Sequence, residues 1–167
     1  MTEPIPIHCR AVTENDAEPL GRFLVANDVP EVRRRFHPFP LTLESARRIA
    51  GAKGRDRFYV AELGGRIVGL SMLRGWDQGF EIPSFGILID RNRHGAGLGS
   101  RLTDFTLDQA RRLGSTQIRL SVYASNRRAC EMYRRRGFRE LERHPVSIDG
   151  GADQKIVMIA ALEPAAE

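Results

Sequence analysis

Ala17, Leu20, Phe23 and Leu24 recur at the three- and four-residue intervals of one helix face. Thr13 stands before them as an N-cap, with Asp16 three positions on. Residues 5–12 ahead of it read as a short strand. Residues 27–40 hold three prolines and the run Arg33-Arg34-Arg35, and read as a loop with room for a helical turn. Thr42 caps a second helix to about Ala50. Residues 58–63 and 66–74 read as strands joined by Gly64-Gly65, a two-residue turn that tolerates positive φ and makes a hairpin. Residues 75–79 form another turn. Residues 80–89 predict a third strand, and its continuous apolar run Phe85-Gly86-Ile87-Leu88-Ile89 suggests burial on both faces.

The glycine cluster Gly95-Ala96-Gly97-Leu98-Gly99 follows. It opens a helix with Leu98, Leu102, Phe105, Ala110 and Leu113 on one side. Residues 117–123 predict a strand. Asn126 caps a short helix that Gly137 ends in the left-handed position. Residues 138–148 and 154–162 form a closing hairpin around Asp149-Gly150-Gly151. This order predicts one α/β domain over residues 1–167, with a mixed, mainly antiparallel sheet flanked by helices.

A chain of 167 residues suits one domain with its own core. Its net charge of +5 favours anionic partners, and all 26 basic residues but Lys53 and Lys155 are arginine, whose planar fork suits phosphate. Aromatic residues are only 7%, with a single Trp, which argues against a stacking platform for nucleic acid. Arg33-Arg34-Arg35 and Arg134-Arg135-Arg136 read as solvated surface, so no nucleic-acid partner is expected. Cys9 and Cys130 are far apart and read as free thiols. His8, His37, His94 and His144 are scattered, so no metal site is expected. Residues 1–10 lack the pattern of a signal peptide, and no apolar run nears the ~20 residues that span a bilayer. The expectation is a cytoplasmic protein with no membrane partner.

A glycine-rich turn between a strand and a helix start is suited to anions, because amide N–H groups converge there at the positive end of the helix dipole. A Walker A loop would need a lysine where Gly99-Ser100-Arg101 stands. A dinucleotide fingerprint would need glycine at Ser100, and an acidic residue about 20 positions on, where Arg119 and Leu120 stand. An ordinary tight turn is the plain alternative. The cluster resembles the pyrophosphate loop of the GNAT superfamily of N-acetyltransferases, Gln/Arg-x-x-Gly-x-Gly/Ala. Gly97 and Gly99 match its glycines, and His94, next to Arg93, takes the leading position. Asn126-x-x-Ala129-x-x-x-Tyr133-x-x-x-Gly137-Phe138 resembles the second motif of that superfamily, at a matching distance from the loop. Asn126 and Tyr133, seven residues apart, share one helix face. On a plainer reading they are an N-cap and a core residue.

The resemblance implies acetyl-CoA as co-substrate and no metal. It places acetyl-CoA in a cleft between two splayed parallel central strands, 80–89 and 117–123. Main-chain groups near Ile87, Leu88 and Ile89 would pair with the pantetheine arm. His94 and the N–H groups of Gly95, Ala96, Gly97, Leu98, Gly99 and Ser100 would hold the pyrophosphate. Asn126 would bind the pantetheine region, and Tyr133 would be the general acid that protonates the leaving thiolate. Glu81 leads as general base, ahead of Asp77 and Ser84, with a solvated glutamate as the plain alternative. Arg93, Arg101, Arg127 and Arg128 could meet the 3′-phosphate of coenzyme A. The acceptor would be a primary amine held by residues 27–40, the turn near Trp76 and the closing strands, with His37 a candidate substrate contact. The wall Phe36-His37-Pro38-Phe39-Pro40 favours a small molecule over a protein amine. A non-catalytic coenzyme A module is the alternative, and a homodimer stays open.

Overall fold

The computed structural model describes residues 5–164, so the first four residues of the 1–10 stretch lie outside the described residues. The chain runs β1 (His8–Ala11), α1 (Ala17–Ala26), α2 (Pro30–Arg33), α3 (Leu43–Ala50), β2 (Arg57–Leu63), β3 (Arg66–Arg74), β4 (Ser84–Ile89), α4 (Leu98–Arg112), β5 (Gln117–Tyr123), α5 (Arg127–Arg135), β6 (Arg139–Ile148) and β7 (Gly151–Ala161). The strands form one seven-stranded sheet in the order β1-β2-β3-β4-β5-β7-β6. Every neighbouring pair is antiparallel except β4 and β5.

Helices α1 and α3 pack on one face of the sheet over β2, β3 and β4, and α4 and α5 pack on the other; side chains start several of them. Thr13 and Asp16 form the capping box ahead of α1, and the Thr42 hydroxyl accepts from the Ser45 N–H at the start of α3. Leu20, Phe23 and Leu24 of α1 and Ala46 and Ile49 of α3 pack on Val60, Leu70, Met72 and Leu88. On the other face Leu98, Leu102, Leu107 and Ala110 of α4 and Tyr133 of α5 pack on Tyr59, Leu73, Phe85, Ile118, Leu120 and Val122. Phe85 and Leu88 therefore enter opposite cores, which is why the run 85–89 has no polar residue. Gly69 lets α4 come close to β3, since a Cβ there would lie 3.0 Å from Ile89 and 3.1 Å from Leu102. The buried Ser71 and Thr106 hydroxyls, 2.6 Å apart, fix α4 along β3.

Three strand starts differ from the pattern-based reading by more than one residue. β1 starts at His8 rather than residue 5. β4 starts at Ser84 rather than residue 80. A 3₁₀ turn over Trp76–Gln78 ends at Gly79 with φ 89°, and the Phe80 N–H folds back to the Gly75 C=O at 3.0 Å. Phe80 is left 62% exposed, and Pro83 has no N–H to extend a ladder. Glu81 thus stands on an exposed turn and not on the strand. In the last hairpin β7 starts at Gly151, because Asp149 (φ 48°) and Gly150 (φ 77°) make a two-residue turn with both φ values positive. Leu113 lies past the end of α4 and is exposed rather than part of its buried face.

Arg10 ties the start of the chain to the sheet. Its guanidinium donates to both Asp16 oxygens at 2.7 Å and to Glu62 on β2. These bonds hold the buried Asp16 carboxyl below its ordinary pKa. A carboxyl whose pKa is depressed by folding adds stability above its unfolded pKa, about 3.9, and loses it as pH falls through the lower folded value. Asp16→Asn is therefore expected to cost about 1–3 kcal/mol at pH 7. Urea unfolding at pH 7 and across the acid range checks this, with the gap between variant and parent closing below about pH 4.

Candidate active site

The parallel pair β4–β5 is joined at one point. Ser84 faces Arg119, and the Arg119 N–H donates to the Pro83 C=O at 3.0 Å. Past this vertex the two strands separate, and their outer neighbours show which groups are left over. The Asp90 N–H bonds the Val68 C=O at 2.9 Å in the β3–β4 register. Antiparallel alternation then commits the main-chain groups of Ser84, Gly86 and Leu88 to β3 and turns those of Phe85, Ile87 and Ile89 away from it. Likewise the Ala124 N–H bonds the Gln154 C=O at 2.8 Å. That commits Ile118, Leu120 and Val122 to β7 and turns Ser121 and Tyr123 toward β4. The result is a wedge whose two inner edges, at Ile87 and Ile89 on one side and Ser121 on the other, have main-chain groups without ladder partners. Leu88 contributes none of these, because its amide and carbonyl face β3 and its side chain fills the α1–α3 core.

The wedge opens toward the glycine loop. Gly95 (φ 90°) and Gly97 (φ 76°) take the left-handed conformation that side chains resist, and a Cβ on either would meet nothing within 4 Å. The first bond of α4 runs from the Arg101 N–H to the Gly97 C=O. Among the described residues the N–H groups from His94 to Ser100 have no acceptor. Seven main-chain donors thus sit at the positive end of a 15-residue helix. Leu98, fully buried, pins the helix start to the core, while the His94 side chain is exposed. Arg101, Arg127 and Arg128 have no acidic partner among the described residues, whereas Arg93 lies 3.8 Å from Asp90.

Helix α5 closes the α4 side of the wedge. Arg136 holds it with two bonds to Asp104 of α4, at 2.6 and 3.1 Å. The Asn126 Oδ1 caps it through the Ala129 N–H at 3.4 Å, which leaves the Asn126 amide NH₂ uncommitted among the described residues. Tyr133 lies edge-on between Phe85 (6.1 Å between ring centres) and Phe138 (5.7 Å). Its hydroxyl donates to no described residue yet is not sealed from solvent. Burial pushes its phenol well above the ordinary pKa, so the group stays protonated and has a proton to donate.

The base candidates separate by their partners. Asp77 accepts from the Arg55 N–H at 2.6 Å and the Asp56 N–H at 3.2 Å, and these bonds lower its pKa. It organises a loop. The Glu81 carboxylate has no partner among the described residues, and its main-chain carbonyl accepts from the Trp76 indole. Ser84 is exposed at the vertex. His37 lies edge-on to Tyr123 at 5.9 Å and contacts the Arg34 C=O at 2.8 Å. A carbonyl can only accept, so His37 Nε2 carries the hydrogen. Pattern reading did not single out Phe85 as the partner of Tyr133, nor Tyr123 and Ser121. Strand parity alone does not say which way their main-chain groups turn, since the β3 pairing decides that for β4 and the β7 pairing for β5.

Among the described residues no helix is long and apolar enough to cross a membrane, and no group of three His, Cys, Asp or Glu side chains is placed to hold a metal. A mycothiol acetyltransferase from Geodermatophilus obscurus is 35% identical over 96 residues, 54% of this chain and 30% of that protein. The chain thus spans less than a third of the length of that curated relative. A GNAT-family acetyltransferase from Streptococcus pneumoniae superposes with a TM-score of 0.78 at 19% identity, over 95% of this chain and all of its own. The ribosomal-protein-S18-alanine N-acetyltransferase of Escherichia coli gives 0.73 at 18% identity, over 97% of each chain. At these identities the solved structures show the shared fold. The acetyltransferase (GNAT) family model matches residues 26–138, from the end of α1 through both motifs, and the chain belongs to that family.

Proposed function

We propose that the protein is an acetyl-CoA-dependent N-acetyltransferase that moves an acetyl group to a primary amine. The observation that carries this reading is the wedge with unpaired main-chain edges, leading to a row of unpaired amide donors at a helix start. Such a row fits a diphosphate. The edges at Ile87, Ile89 and Ser121 fit an amide-bearing arm that pairs as an added strand, and the free Asn126 amide can donate to one of its carbonyls. An N–H of Ile87 or Ile89 would polarise the thioester carbonyl.

In the reaction the amine nitrogen bonds to the acetyl carbon and the carbon–sulfur bond breaks. The sulfur takes a proton from Tyr133, and the amine gives one up to a base. Most of the rate then comes from orientation and exclusion of water. Glu81 supports the base role by its free carboxylate, acting through water from its exposed turn. On the acceptor side, Phe36 and Phe39 (5.2 Å apart, edge-on) and His37 form a wall. The Arg34–Asp149 ion pair at 2.8 Å joins that wall to the β6–β7 turn. Such an aromatic wall favours a small-molecule amine over a protein.

Calorimetric titration with acetyl-CoA tests the reading, and absence of binding would sink it. Tyr133→Phe is expected to lower kcat about 10–100-fold with acetyl-CoA affinity kept; an unchanged kcat removes Tyr133 from the acid role. Gly97→Ala and Gly114→Ala both force a side chain into positive φ (76° and 88°). Each is expected to cost about 1 kcal/mol of stability in urea unfolding. Only Gly97→Ala should also weaken acetyl-CoA binding, because Gly114 follows the far end of α4.

A further inference from the structure

The wedge has a second open side, away from α4 and α5. On β5 the side chains of Ile118, Leu120 and Val122 enter the α4–α5 core, so those of Arg119, Ser121 and Tyr123 stand on the opposite face. No helix covers the sheet there among the described residues. The strand registers align a lateral row on this face at the vertex of the wedge. It runs Arg74 on β3, Ser84 on β4, Arg119 on β5, Ile159 on β7 and Arg139 on β6. Neighbours in such a row are about 4.8 Å apart and point the same way.

Arg74 reaches over this face, with its guanidinium 5.9 Å from the centre of the Phe39 ring and 3.4 Å from the Pro38 carbonyl. Arg74 and Arg139 have no carboxylate partner among the described residues. Arg119, 40% exposed, has only a loose contact with Glu142 at 3.7 Å. Between Arg74 and Arg119 lies Ser84, a short exposed side chain that leaves space above it. The next row along is Ser121, Val157 and Glu142, about 7 Å further on and level with the open part of the wedge. The face thus offers guanidinium groups at the vertex, while the Glu142 carboxylate lies two strands beyond β5 and contacts His144 at 2.7 Å.

We infer that the acceptor is a small primary amine that also carries an acidic group, a carboxylate or phosphonate, which Arg74 and Arg119 hold over Ser84. The inference rests on the acetyltransferase reading. With its acidic end on the arginines, the ligand's amine lies over the gap between Gly86 and Ser121, within reach of a thioester in the wedge. A polycationic amine meets repulsion from the same arginines.

Thiol release from acetyl-CoA is measured for each common α-amino acid against its carboxamide, for 2-aminoethylphosphonate against ethanolamine, and for spermidine. An amino acid's amine is more basic than that of its amide and less of it is unprotonated at pH 7.5. A neutral recess would therefore favour the amide. The expected result is at least a tenfold higher kcat/KM for the best acidic amine than for its neutral partner. Arg119→Gln should raise its KM at least tenfold with acetyl-CoA affinity kept, and Arg119→Lys should recover part of the loss. Preference for the neutral amines or spermidine overturns the inference. So does acetyl-CoA binding with no acidic amine acetylated, which leaves the acetyltransferase reading standing. Failure to bind acetyl-CoA removes both.

Discussion

The hydrogen bond from the Arg119 N–H to the Pro83 carbonyl is the hinge on which the site is built. Both strands it joins are fully committed on their outer sides, β4 to β3 and β5 to β7. A parallel pair held at one end and free at the other must diverge if each strand follows the twist of its own neighbour. The protein therefore carries unpaired main-chain edges inside a sheet, where a ladder would normally run. An unpaired buried amide is costly, so a gap of this kind persists only if solvent or a strand-like ligand can reach it.

The surroundings keep the gap from closing. On one side Phe85, Tyr133 and Phe138 stack edge to face, and Arg136 holds α5 to α4 through Asp104. On the other, Met72 and Leu88 belong to the core under α1 and α3. Two independent cores pull the strands toward different helices. The glycine loop then follows from the end of β4, with Leu98 buried and Gly97 in the left-handed region, so the helix starts abruptly and its first amides point outward. Donors fixed in this way are organised by the fold itself.

Most elements were legible in the chain because short-range chemistry dictates them. The Thr13–Asp16 capping box, the Thr42 cap, the Gly64-Gly65 turn and the Asn126 cap all appear where the side chains place them. The start of β4 was not legible. Nothing in Phe80 or Ile82 forbids a strand, and the turn forms because Gly75 and Gly79 take positive φ and draw Phe80 back. That one change moved Glu81 off the strand. Leu88 could not be separated from Ile87 and Ile89 either, since a run of apolar residues does not say which amides face which neighbour.

By itself the sequence determined the two motifs, the single α/β domain and the glycine loop that opens a helix, because glycines, caps and hydrophobic periods act within a few residues of one another. Tertiary structure decided which main-chain groups stay unpaired, which face of β5 is open, and that Arg74, Ser84 and Arg119 share one row. Those three residues span 45 positions of chain. Only the registers β3–β4 and β4–β5 bring them together, and register is a property of the assembled sheet rather than of any strand alone.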